Sequence, residues 1–561
     1  MRFALAVFAV FAAACGPPHS VGAQPSWRAG SATPPPAQSL APVTFAPAND
    51  AVRSYNEPLE APPKSALGDA MMAALRTAAG QAHLPTPVAD ARLYRACAEL
   101  AQIVPEEGVV SYAFVEFALQ RNGIIEPSPH LLVVWGDVDA PKDIVAQLAP
   151  RLPEILADGA TARVGIGAVK RNPDGTGAIV FALQGSGVTT SPIPRSLPKA
   201  GSIAIDAVVD SRFKDPEVFV TRDDGTTERL PLALGRSGGF KANVACGVHA
   251  GRQEVEISAA DAAGSTVLAN FPIWCGSEPP ASLTVAPTLD DRDVTSTTEA
   301  EQRLFALANH DRVAAGLPAL QWDERVAAVA RSHSEEMRRT KIVAHVSPTT
   351  GSAADRVRAA NIKTAVVLEN VARAYGVGEA HTGLMNSPGH RANLMSTAAT
   401  HVGIGVVLGE EISGRRELFI SQVFIRVPPK IDPGAVAELV RARIAKLRAV
   451  VIDPRLGATA KKLAAGLAAG KPRDALWPDA TKELDTLGNV YGRVGSVITA
   501  VAETDSIDGA ALVGDYRPDA IGIGVAQGTH PEIGDNAIWI VVLLAERLTT
   551  TSPPPAQPKS K

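Results

Sequence analysis

Aromatic side chains are scarce in this chain, at 5% of 561 residues, and there are only four cysteines. A disulfide-dense scaffold is thereby excluded. Positive charge is not in surplus either: 54 Lys and Arg stand against 58 Asp and Glu, a formal net charge of −4. That balance leaves no basic footprint, so nucleic acid is excluded as an expected partner. Beyond the first residues no stretch approaches the ~18 consecutive apolar residues of a membrane-crossing helix. A single hydrophobic core is also excluded by length, which calls for about three to five domains.

What is present begins with a leader. Met1 and Arg2 are followed by an apolar run over 3–14 and then by Cys15-Gly16, the pattern of a secretory signal. Ala-Ala-Ala-Cys-Gly resembles a bacterial lipobox, in which Cys15 is acylated and becomes the N-terminus. Val21-Gly22-Ala23 is a competing ordinary cleavage site at the end of a signal over 1–23. Either processing predicts an exported protein, an outer-membrane lipoprotein in the first case and a secreted one in the second. Residues 24–65 are rich in Pro and Ala without a sustained period and read as a disordered tether, and the tail 550–561 reads as disordered too.

The most informative stretch is 301–426. In RVAAVARSHSEEMRR the residues Val326, Val329, Ala330 and Met337 recur at helical spacing, which places His333 near Glu336 on one helix. His345 lies in AHVSP at a helix exit. His390 follows Ser-Pro-Gly at a turn in LMNSPGHRANLM, so both histidines occupy positions where a ring can face a cleft. Glu369, in LEN, follows the apolar run AVVL, and a carboxylate delivered from a buried element needs a partner. Two histidines and a glutamate form a hydrogen-bonded cluster, or a weak site for a divalent metal such as zinc.

The order HSEEM, HVSP, LEN, LMNSPGHRANLM, GIGV and QVF resembles the CAP superfamily (cysteine-rich secretory proteins, antigen 5, pathogenesis-related proteins), in its bacterial SCP-like branch. The resemblance implies an α-β-α sandwich with a cleft lined by two histidines and two acids. Matched by position, these are His345, His390 and Glu369; the second acid of the eukaryotic branch falls near Ser387, so the resemblance implies an incomplete tetrad. Leu384 stands where tryptophan is usual, and Leu368 where glycine is usual.

Around this domain, placed at 298–428, the chain repeats its own ending. VGIGAVKRNPDGTGAIVFALQ and IGIGVAQGTHPEIGDNAIWIVVLLAER both parallel VGIGVVLGEEISGRRELFISQVF, which predicts degenerate CAP-like units at 66–197 and 432–549. Short strand-like runs with turn signals over 198–281 predict an immunoglobulin-like β-sandwich, followed by a linker at 282–297. The expected class is thus α+β and multidomain. Cys246 and Cys275 end two of those runs and are the expected disulfide of an exported chain; Cys97, among apolar neighbours, is expected to be a buried thiol.

Three functions fit this pattern. The chain is a non-enzymatic surface or envelope protein whose cleft binds a lipid-like ligand, a peptide or an envelope component. Alternatively it is a peptidase-like hydrolase in which Glu369 and His345 or His390 activate water, with or without a metal. In the third case the polar cluster fixes loops onto a core and does nothing else.

Overall fold

A computed structural model of the chain describes residues 5–8, 11–12, 42–106, 110–156, 161–285, 294, 296–412 and 415–548. Cys15, the leader's cleavage sites, the tether up to residue 41, most of the 282–297 linker and the tail lie outside them. The chain divides into two compact units. One comprises Met1–Ala360, Leu368–Thr397 and Val402–Phe424; the other comprises Asn361–Val367, Ala398–His401 and Ile425–Lys561.

One local plan is built three times. Each copy starts with a short strand and an aspartate whose side chain caps the next helix by accepting backbone N–H bonds two and three residues on. Asp90 caps Ala91–Ile103, Asp323 caps Glu324–Thr340 and Asp453 caps Pro454–Ala468. In each case the arginine two residues later, Arg92, Arg325 or Arg455, folds back onto the same carboxylate. The sheets then share one order. Numbering the four strands of a copy along the chain, they lie side by side as first, third, fourth, second. In the first copy these are Val88–Ala89, Thr161–Lys170, Thr176–Gly185 and His130–Asp137. The central copy uses Gln321–Trp322, His401–Ile412, Arg415–Ile425 and Val367–Ala374. The last uses Val451–Ile452, Ala520–His530, Gly534–Arg547 and Tyr491–Val501. Leu5–Phe8 and Phe11–Ala12 pair along the outer edges of the first and central sheets.

The Gly-Ile-Gly signature has a packing reason. Alternate residues of a strand share a face, so its two glycines present bare backbone to the capped helix. A Cβ on Gly403 would lie 2.1 Å from Ala327 N, and one on Gly405 2.1 Å from Arg331 N. Gly165 and Gly167 meet the backbone of Leu93 and Cys97 in the same way, and Gly522 and Gly524 that of Leu456 and Ala460. In the first copy helices cover both sheet faces: Leu131 and Val133 pack toward Leu93 and Leu100, while Leu132 and Val134 pack toward Met71 and Leu75. The result is an α-β-α layering.

Between the first and central copies lie two sheets, antiparallel except where Ser196–Leu197 runs parallel to Gly264–Cys275. One contains Leu232–Leu234, Gly239–Ala245, Ser202–Val209 and Val188–Thr190; the other contains Ser196–Leu197, Gly264–Cys275, Gly251–Asp261, Lys214–Thr221 and Thr227–Arg229. They share a core that includes Ile205, Phe240, Val255, Ile257 and Phe271, all buried. The first strand starts at Val188, earlier than the expected boundary at 198, because Val188–Thr190 pairs with the end of Ser202–Val209. Cys246 and Cys275 form the disulfide across the two sheets. Cys97 is free and buried, and burial pushes its thiol well up.

Candidate functional site

The site is assembled from the exits of helices. Glu324–Thr340 ends at Lys341 in the left-handed region, φ 57°, which turns the chain out of the helix toward His345. His333, on that helix, is buried and bonds through Nε2 to the carbonyl of Ala344 at 2.8 Å, fixing the residue before His345. Desolvation, reinforced by the charge of Arg356, pulls His333 down to about 2, so it is a neutral structural group.

His345 is buried, with Nδ1 3.3 Å from Oε2 of Glu369. Glu369 comes from Val367–Ala374 and is fully engaged: its Oε1 accepts from Arg356 Nη2 at 2.6 Å and from Ser421 Oγ at 3.0 Å. Burial pushes the Glu369 carboxyl up, while Arg356 and Ser421 pull it down. Arg356, Glu369 and His345 thus form one buried chain of contacts, and desolvation holds His345 well below the ordinary imidazole range.

His390 sits in the short helix Pro388–Leu394. Asn370 Nδ2 donates to the His390 carbonyl at 3.1 Å, and Asn393 Nδ2 donates to the Glu369 carbonyl at 2.9 Å, so the asparagines of LEN and HRAN lock strand to helix. The His345 and His390 rings lie nearly parallel, 6.3 Å between centroids. His390 Nδ1 is 2.6 Å from Ser387 Oγ, and burial takes His390 down to about 4.

The position where the sequence lacks its second acid is met from another part of the chain. Glu256, on Gly251–Asp261 of the β-sandwich, binds the Ser387 hydroxyl through Oε2 and accepts the Gly389 N–H through Oε1 at 3.1 Å. Further contacts close the same seam: the Val346 N–H donates to the Ala263 carbonyl at 2.7 Å, Asn270 Nδ2 to the Asn386 carbonyl at 3.1 Å, and Arg391 Nε to the Gly225 carbonyl at 3.2 Å. Glu256 is buried, and desolvation pushes its carboxyl up to about 7. In QEVEIS the polar residues alternate with apolar ones, which reads as the solvent face of a strand. Alternation identifies a face but not what covers it.

Residues 305–424 match the CAP family, the cysteine-rich secretory protein family. The chain carries a CAP domain. It is 39% identical over 110 residues to the uncharacterized membrane protein YlbC of Bacillus subtilis (strain 168), covering 19% of this chain and 32% of that protein. It is 35% identical over 108 residues to the uncharacterized protein YkwD of the same organism, covering 19% and 42%. The chain therefore spans less than half the length of these relatives. Among solved structures, an extracellular SCP-domain protein of Bacillus anthracis str. Ames aligns at 18% identity and a TM-score of 0.21, over 54% of this chain and 88% of that one. An outer surface protein of Borrelia burgdorferi aligns at 17% identity and a TM-score of 0.22, over 24% and 96%.

The CAP domain brings His345, Glu369 and His390 into one cluster. Both Glu369 oxygens are taken, and among the described residues no three His, Cys, Asp or Glu side chains are arranged to hold a metal. His345 and His390 offer two ring nitrogens where zinc sites use three or four protein ligands.

Proposed function

We propose that the protein is exported and acts at the cell envelope or outside the cell as a binding or interaction protein without turnover. The observation that carries this reading is the occupation of the CAP cleft by the protein's own groups. Glu369 is tied to Arg356, Ser421 and His345, and Glu256 fills the space in front of Ser387 and the Gly389 N–H. A hydrolytic centre needs an approachable nucleophile or water beside a free base, and an oxyanion pocket. The leader pattern supports export, as a lipoprotein through acylated Cys15 or as a secreted chain, and the YlbC likeness favours the membrane-held form.

The test uses the full chain and its His345→Ala/His390→Ala variant on a fluorogenic peptide and a nitrophenyl ester. The expected outcome is no turnover above a heat-denatured control in either protein. Turnover by the wild type that disappears in a folded variant would overturn the reading in favour of a hydrolase. One observation favours that second reading: Ser387 Oγ lies within hydrogen-bond reach of His390 Nδ1, the spacing of a nucleophile and its base. With Glu256 ionised, however, the Ser387 hydroxyl donates its hydrogen bond to the carboxylate and not to His390.

A further inference from the structure

Opening onto the cleft residues Ser387 and His390 is a cavity of about 70 Å³, walled by the helix Tyr112–Arg121, the sandwich, the CAP strand Val367–Ala374 and the CAP helix Val377–Asn386. Its apolar wall includes Leu119, Ile124, Val371 and Leu384. On two residues that line it, an acceptor has no hydrogen-bond partner among the described residues: Oε2 of Glu126, a residue 5% exposed, and Oδ1 of Asn270. An unmet acceptor in a buried site is costly, and a carboxylate oxygen more so.

The neighbouring cations already have carboxylate partners, with Arg163 Nε, like Glu126 Oε2, left without a hydrogen bond among the described residues. Arg163 pairs with Asp90 and Glu126, and Arg373 with Glu417. The remaining charge on the wall is carboxylate: Glu116, whose Oε1 accepts from Tyr112 Oη at 2.7 Å, lines the cavity with Glu126, and burial pushes the Glu116 carboxyl up. A donor-bearing cation would satisfy these acceptors, and the aliphatic wall would take the rest of the molecule.

We infer that this junction cavity is a binding site for a small amphiphilic amine, an ammonium group held by Glu126 and Asn270 with a short hydrocarbon body against Leu119, Val371 and Leu384. The site adjoins the cleft at Ser387 and His390, and amine binding there does not depend on whether the CAP cleft turns over a substrate. Gly383 supplies the means of closing it. This glycine lies in a helix on the cavity wall, and a Cβ added there meets nothing within 4 Å. A side chain at 383 can therefore occupy the cavity, and replacing a helical glycine also favours the helix.

The probe is n-butylamine at pH 7, with 1-butanol as the neutral isostere, followed by ligand-observed NMR on the full chain, its Gly383→Leu variant and its Gly383→Ala variant. The amine is expected to bind the wild type roughly tenfold or more tighter than the alcohol, as a charge-assisted contact requires. Gly383→Leu is expected to abolish amine binding with its thermal melt retained. Should that variant fail to fold, Gly383→Ala is expected to weaken the amine several-fold. Equal binding of amine and alcohol, absence of amine binding, or undiminished binding by the folded Gly383 variants would each overturn the site.

Discussion

Glu256 is where the chemistry of the cleft is decided. As a neutral acid it donates to Ser387, which then donates to His390 Nδ1; as a carboxylate it accepts the Ser387 O–H hydrogen bond and leaves Nδ1 to donate. Burial raises its carboxyl from 4.5 to about 7. Between those values the folded protein holds a proton that the unfolded chain has lost, so this group's contribution to stability is present at low pH and is lost as pH rises through 7. His390, lowered from 6.5 to about 4, has the opposite sign: the unfolded chain binds the proton first, and stability is lost as pH falls from 6.5 toward 4. Glu256→Gln mimics the protonated acid at every pH. Its stability relative to the wild type is expected to improve by up to about 3 kcal/mol between pH 5 and pH 8, measured by urea unfolding. A pH-independent difference would contradict the burial of this carboxylate. A second prediction concerns Arg356, 1% exposed, whose partner Glu369 is equally buried. Arg356→Met strands that carboxylate and is expected to cost about 3–5 kcal/mol, whereas Arg356→Met/Glu369→Leu should recover part of the loss. His345, Glu369 and His390 were legible because each sits in a short polar motif at the end of an apolar run. Glu256 was not, because it reaches the cleft from a strand more than a hundred residues earlier in the chain.

Among the elements, the capped helix and the Gly-Ile-Gly strand form the unit of construction. Gly405→Ala places a methyl against the Arg331 backbone, and with no flexible side chain to yield, the helix must move off the sheet. A cost of about 1–3 kcal/mol or more is expected from thermal melts. Asp323→Ala, which removes the cap and the exposed Arg325 pair with it, should cost about 1 kcal/mol. A null effect at Gly405 would mean that the helix does not lie on bare strand backbone. The Gly-Ile-Gly strands were readable in the sequence as a repeat. The accompanying signal, Asp90-Ala-Arg92, Asp323-Glu-Arg325 and Asp453-Pro-Arg455, is shorter and carries no hydrophobic period, so it emerges only when the three caps are seen side by side. The outer copies repeat the scaffold without HVSP, LEN or SPGH, which is why a cleft cluster of this kind belongs to the CAP domain.

For the molecule as a whole, the sandwich is part of the CAP cleft and not merely a spacer beside it. Its integrity depends in part on the Cys246–Cys275 bond, which closes a separation of 29 residues. Loss of that bond in a Cys246→Ala/Cys275→Ala variant is expected to cost about 3.5 kcal/mol from the regained chain entropy of the unfolded state. A sequence read strand by strand predicts a two-sheet module and its disulfide, but not the neighbour it packs against, because docking leaves no period in the residues. The most direct test of the closed cleft is a ¹⁵N-histidine NMR titration of the full chain, with His390 assigned through His390→Gln. The account predicts a neutral His390 ring from pH 8 down to about 5, with protonation near 4. Titration near the ordinary 6.5 would show a ring open to water, and would contradict the burial of His390.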